Sequence, residues 1–340
     1  MEIFDLAFFK DLPKADLHCH LDGSLRLTTL IDLAKEQNIP LPSDDPVTLK
    51  KKLGFGQLHD SLEDYLKIFD ITCSVMQTAA AIYRIAYELV VDAAKENIWH
   101  IEIRFCPTFL TKKGLNIEQV IEAAIKGAKD AGEKHQVSTG IILCAMRMFD
   151  PKVNLEIAKA AVLYKNKGVL ALDLAGPEVG YPSRHHAASF FHVISNYMNI
   201  TIHAGEADSH ESIAEALHYS HAQRIGHGTR LFENPELLNY MVNQQIPLEV
   251  CLSSNLQTRV VDDLSKHPAR LYLDAGIRVT LNTDNRLISD TTLSHEYELA
   301  YNHLKLTPNE IKTLIFNGFR SAFLPHQKKN ELLERVFSCW

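Results

Sequence analysis

Eight short apolar segments alternate with longer amphipathic ones along this 340-residue chain, and that alternation narrows the folds open to it more than any other feature. The segments are Ala15–Leu21, Ile98–Phe105, Ser138–Ala145, Val169–Leu174, Ile200–His203, Arg224–Gly226, Ile246–Val250 and Arg278–Leu281. Between them, apolar residues recur at helical spacing in Ile117–His135, Val153–Lys167, Ser183–Tyr197, Glu211–Tyr219, Pro235–Gln244 and Pro268–Ala275. Asn154 or Asp150 beside Pro151, and Asn234 before Pro235, are helix-start signals, while Gly168 and Gly276 stop helices just before strands. Eight strand-plus-helix units predict a TIM-type (β/α)8 barrel, in one unit spanning residues 1–340, rather than an open doubly wound sheet. A dinucleotide fold is disfavoured because no Gly-x-Gly-x-x-Gly turn follows any of the strands.

Two regions break the repeat. Residues 24–97 are too long for one crossover and read as an inserted helical cap over the end of the first strand, with helices including Leu62–Met76 and Ala79–Glu96. After the eighth strand, Thr292–Leu304, Pro308–Ser321 and Lys328–Phe337 are extra C-terminal helices expected to close or flank the barrel.

With 46% hydrophobic and 23% charged residues, the chain has enough apolar side chains for a large core. Its net charge of −7 argues against nucleic acid as a partner, since polyanions are gripped mainly through Lys and Arg. No run approaches the roughly 18 uninterrupted apolar residues of a membrane span. The six cysteines carry no Cys-x-x-Cys spacing and read as reduced thiols, and Glu2, Asp5 and Asp11 fit neither a signal nor a transit peptide. The expectation is a cytoplasmic protein acting on a small molecule.

In such a barrel the chemistry gathers at the carboxyl ends of the strands. Within Ala15–Leu21 the side-chain period of two puts His18 and His20 on one face, with Cys19 on the other. The fourth strand runs into Asp173-Leu174-Ala175-Gly176-Pro177-Glu178, the fifth ends in His203-Ala204-Gly205-Glu206, the sixth in His227 and the eighth in Asn282-Thr283-Asp284-Asn285. Three histidines and an aspartate (His18, His20, His203 and Asp284) form a donor set for one zinc ion with a position left for water, the mark of a catalytic site. Glu206, three residues past a ligand, can donate a proton to a substrate nitrogen beside the metal. His227 is either a fourth histidine ligand or a second base; the base fits better. A bridged two-metal site is disfavoured because no lysine stands at the end of the fourth strand, and a cytidine-type deaminase because His100-Ile101-Glu102 is not followed by Pro-Cys-x-x-Cys.

These motifs, together with Leu17-His18-Cys19-His20-Leu21-Asp22-Gly23-Ser24 and Arg224-Ile225-Gly226-His227-Gly228, resemble the adenosine deaminase family of the amidohydrolase superfamily, in family order and through nearly the whole chain. The resemblance implies zinc-dependent hydrolysis of a purine 6-amino group with release of ammonia. It implies His18, His20, His203 and Asp284 as metal ligands, Glu206 as proton donor to N1 and His227 as the orienting base. It further implies that the Gly176 amide faces N3, that Asp22 meets the ribose, and that His20 lies at the substrate as well as at the metal. Many members carry a second aspartate where this chain has Asn285; an amide donates to a purine N7 directly, whereas a carboxylate must first be protonated.

Asp22 suits a free sugar hydroxyl and would repel a 5′-phosphate. The implied order of substrates is adenosine or deoxyadenosine, then 6-aminodeoxyfutalosine, then adenine, then AMP. A catalytically silent nucleoside-binding protein is the reading from another class, and it would call for a missing ligand or acid; none is missing.

Overall fold

The computed structural model describes residues 4–58, 66 and 68–339. Eight parallel strands follow one another in chain order around a nearly closed barrel: β1 (Lys14–His20), β2 (Ile98–Phe105), β3 (Ser138–Met146), β4 (Val169–Ala175), β5 (Asn199–Ala204), β6 (Arg224–His227), β7 (Leu248–Val250) and β8 (Val279–Leu281). The expected (β/α)8 architecture is therefore the observed one. β7 starts two residues later than its apolar run because Pro247 has no N–H to give a ladder.

Closure is made just past β8. Asp284 pairs with Cys19, its N–H reaching His18 O at 2.8 Å and its carbonyl accepting from His20 N at 2.7 Å. Lower on the seam, the Asn282 side chain accepts from Leu17 N at 2.9 Å, and Thr283 Oγ1 donates to Asp16 Oδ2 at 2.6 Å.

The helices begin where the sequence marks them. Asp150 caps Pro151–Tyr164, Asn234 caps Pro235–Gln244, and Asn116 with Gln119 forms a capping box on Ile117–His135. Asn154 is instead buried inside its helix, bonded to both Met146 N and Met146 O. The Ser183–Tyr197 pattern splits into a 3₁₀ turn, Ser183–His186, and a helix, Ala187–Ser195.

The 24–97 region divides rather than forming one cap. Leu27–Glu36, Pro46–Leu53 and Phe69–Val75 are short helices, whereas Ala79–Ala94 packs along Ile117–His135 and β2 and so is the ordinary crossover helix of the outer ring. Its apolar positions Ile82, Ile85, Leu89 and Val90 are buried on that face. Residues 62–65 and 67 of the expected Leu62–Met76 helix lie outside the described residues. At the other end of the chain, Leu293–His303, Pro308–Ser321 and His326–Phe337 follow β8, and Pro308–Ser321 lies over β8 and β1, flanking the seam.

The barrel interior is charged. In β2, His100, Glu102 and Arg104 alternate with Ile101, Ile103 and Phe105, and all six are buried. Arg104 donates to Glu249 of β7 at 2.9 Å and to Asp173 of β4 at 3.1 Å, while Arg224 of β6 bridges Glu249 and Glu102, each at 2.6 Å. Each guanidinium thus satisfies two carboxylates that are shut off from water.

Candidate functional site

The open end of this polar interior carries the site. His18 and His20 from β1, His203 from β5 and Asp284 from the seam offer ligand atoms that all lie within 4.8 Å of one another. His20 Nε2 stands 3.2 Å from His203 Nε2, and Asp284 Oδ1 lies 3.4 Å from both His18 Nε2 and His20 Nε2. His18 Nε2 is buried with no hydrogen-bond partner. An orphaned nitrogen facing two imidazoles and a carboxylate is the chemistry of a cation site, and this donor set fits a divalent metal.

The far nitrogens of two of the imidazoles are anchored. His18 Nδ1 donates to Glu249 Oε2 at 2.9 Å, and His203 Nδ1 lies 3.0 Å from Asp173 Oδ2. Each carboxylate fixes its ring with the Nε2 lone pair turned inward, and Arg104 holds both carboxylates at once. For His20 the nearest acid on the Nδ1 side is Asp22, at 3.9 Å. Close approach of the backbone is needed too: a Cβ built on Gly226 of β6 would stand 3.1 Å from His18 Cε1.

Glu206 is buried beside this group. Its carboxyl is pushed well above the usual range by burial first, then by the Asp284 and Glu178 carboxylates, the direction that a proton donor needs. The Glu206 loop is held from below, since Glu178 accepts from the amides of Glu206, Ala207 and Asp208 at 3.0, 2.7 and 2.8 Å and from Ser212 Oγ at 2.9 Å. His227 Nε2 faces Glu206 Oε2 at 3.6 Å. Burial holds the His227 imidazole well below its usual pKa. Both His227 and Asp284 have left-handed backbones, φ 61° and 57°, which is uncommon for residues other than glycine.

These groups open onto a cavity of about 330 Å³ whose walls include Phe69, Phe109, Met146 and Gly176. Asp22 and Asn285 line it as well, and each has a buried Oδ1 with no partner. Burial pushes the Asp22 carboxyl up to about 7. The oxygen of the Asn285 amide is packed against Gly23, where a Cβ would come within 1.9 Å of it. Every site residue expected from the sequence lies in this one region: the four-residue donor group, then Asp22, Gly176, Glu206, His227 and Asn285 around the same cavity.

Sequence reasoning passed over the supporting residues Arg104 and Glu249 and the supporting roles of Asp173 and Glu178. Arg104 had a visible signal, a charge at period two inside a strand assigned to a barrel. Asp173 and Glu178 lay within a quoted motif, but their partners could not be paired without the fold. His100 and Glu102 are strand residues, as expected, bonded to each other at 3.2 Å.

A family model described as adenosine deaminase matches residues 13–339. A probable adenosine deaminase of Dictyostelium discoideum is 41% identical over 332 residues, covering 98% of this chain and 43% of that one, so the chain spans less than half of that protein's length. An adenosine deaminase of Clostridium acetobutylicum is 39% identical over 326 residues, covering 96% of this chain and 97% of that one. Among solved structures, an adenine deaminase from Arthrobacter aurescens superposes with a TM-score of 0.87 at 28% identity, covering 96% of this chain and 98% of that one.

Proposed function

The chain belongs to the adenosine deaminase family, and from that premise we propose that it hydrolyses adenosine or deoxyadenosine to inosine or deoxyinosine and ammonia, a step of purine salvage. The observation that carries this reading is the cluster of three imidazoles and one carboxylate with the buried Glu206 carboxyl beside it in one cavity. Full-length relatives named for the same activity support it.

The residues divide the work. His18, His20, His203 and Asp284 would hold one zinc ion, which would supply a Lewis acid able to lower the pKa of a nearby water toward neutrality. Glu206 delivers its proton to purine N1, which draws electron density from C6 and opens that carbon to attack by the water oxygen. Once oxygen has added, C6 is tetrahedral. Proton transfer to the 6-amino group lets it leave as ammonia, and the C6 oxygen remains as the carbonyl of the product. The Asn285 amide, its oxygen turned to Gly23, directs its nitrogen to the N7 acceptor, and the Gly176 N–H serves N3. Asp22 accepts a sugar hydroxyl at its unpartnered oxygen.

The setting is cytoplasmic in this reading. Cys19, Cys73, Cys106, Cys144 and Cys251 are buried and unpaired, as suits a reducing compartment. No helix among the described residues is long and apolar enough to cross a membrane.

Ammonia release from adenosine, deoxyadenosine, adenine, AMP and 6-aminodeoxyfutalosine, ranked by kcat/KM, tests the proposal. The two nucleosides are expected to lead. A metal-loaded protein inert on the whole panel, or one that prefers another member of it, would overturn the assignment.

A further inference from the structure

His227 has a second nitrogen, and what lies behind it decides which way the ring can act. Asn255 Nδ2 stands 3.0 Å from His227 Nδ1, and Asn255 Oδ1 stands 3.2 Å from His267 Nε2. At the far end, the backbone N–H of Ala269 points at His267 Nδ1 at 3.1 Å. All three side chains are buried, Asn255 completely.

Only one end of this chain of bonds is unambiguous, and it fixes the rest. A backbone N–H can only donate, so His267 Nδ1 must accept. Burial alone depresses the His267 pKa to about 3, so the ring is neutral and carries its single proton on Nε2. That proton needs an acceptor, which sets the Asn255 oxygen toward His267 and its NH2 toward His227. His227 Nδ1 must in turn accept. An imidazole that accepts at Nδ1 carries its proton on the other nitrogen, so the His227 proton sits on Nε2, which faces Glu206.

We propose that His267 and Asn255 are positioning residues that lock His227 into its Nε2–H tautomer, making it a fixed hydrogen-bond donor to the attacking oxygen rather than a base. A base at this place needs a lone pair on Nε2, and the relay puts a proton there. Oriented donors in a dry site act without reorganising as charge develops, which is the use of such an N–H beside the carbon under attack. The catalytic consequence rests on the deaminase reading above; the tautomer does not.

Two-bond proton–nitrogen correlation spectra of the zinc-loaded, histidine-labelled protein read the tautomers directly, with His227→Gln and His267→Gln used to assign the rings. The expected spectrum has both rings neutral and protonated on Nε2. A His227 protonated on Nδ1, or on both nitrogens at neutral pH, overturns the proposal whatever the enzyme's activity. Asn255→Asp supplies only acceptors, so it is expected to move the His227 proton to Nδ1 and lower kcat about 10²- to 10³-fold with KM little changed. His267→Gln, whose amide can still donate to Asn255, should keep the wild-type His227 tautomer, while His267→Leu should release it. A wild-type tautomer in Asn255→Asp would also count against the relay. If the protein proves inactive on aminopurines but shows the expected tautomers, the functional reading fails and the relay stands.

Discussion

Glu249 sits on β7, 231 residues from His18, yet its carboxylate accepts from His18 Nδ1 at 2.9 Å and fixes the direction of the imidazole's other nitrogen. Burial opposes the charge on Glu249, but Arg104 and Arg224 overcome it and hold the carboxyl well below its usual range. The charged acceptor keeps the proton of His18 on Nδ1. In Glu249→Gln the neutral amide no longer does this, and one of its orientations offers a donor to a donor. Metal affinity is expected to fall about 10- to 100-fold, as for other partners of ligating histidines. Competition with a chelator, followed by metal analysis, measures it; affinity equal to wild type would remove Glu249 from the site's support.

Glu206→Gln separates proton donation from binding. The side chain keeps its size but loses its acidic proton, so metal content should stay stoichiometric while kcat for adenosine drops about 10²- to 10⁴-fold. Retained turnover with full metal would show that another group protonates N1.

Gly23 and Asn285 should behave as a pair. The Cβ of Gly23→Ala cannot stand within 1.9 Å of the Asn285 oxygen, so the amide must swing away. Both Gly23→Ala and Asn285→Ala are expected to lower kcat/KM for adenosine about 10-fold or more, through loss of one hydrogen bond to the base, and the double variant should be little worse than either alone. Additive losses in a double-mutant cycle would place the effect of Gly23 elsewhere.

Acid stability should depend on Glu102. Burial raises its carboxyl pKa, but Arg224 and His100 outweigh that and bring it from 4.5 down to about 2. A carboxylate whose folded pKa lies below its unfolded one gives stability that is full above the unfolded value and is lost as pH falls through the folded one. The window runs from about pH 4.5 to about pH 2, and the size is about 3 kcal/mol. Chemical unfolding of Glu102→Gln should show lower stability at pH 7 and a flatter dependence across that window than wild type; parallel curves would contradict the assignment.

The strands and their chemistry were legible because both are local. His18 and His20 share a face by period two, and each of the other motifs sits within a few residues of a strand end. The support was not legible, because it is built from residues far apart: Arg104 reaches Asp173 and Glu249 across the barrel, and Glu178 reaches the Glu206 loop from the loop after β4. The alternation in β2 also misleads, since polar residues at period two ordinarily face water and here face a closed interior. Length alone places Ala79–Glu96 in the cap, because it does not show which helix of the inserted stretch makes the crossover; that helix is Ala79–Ala94.

The seam between Asp284 and Cys19 has a consequence for the order in which the molecule assembles. The donor group draws on residues 18, 20, 203 and 284, so the set stays incomplete until the first strand meets the segment after the last. Metal therefore finds its full set of ligands only on a chain whose ends have already met, and it should accelerate no early step. Binding then acts as a late latch: it slows the opening of the finished ring, and stripping the ion should show first as faster hydrogen exchange along β1 and the segment following β8.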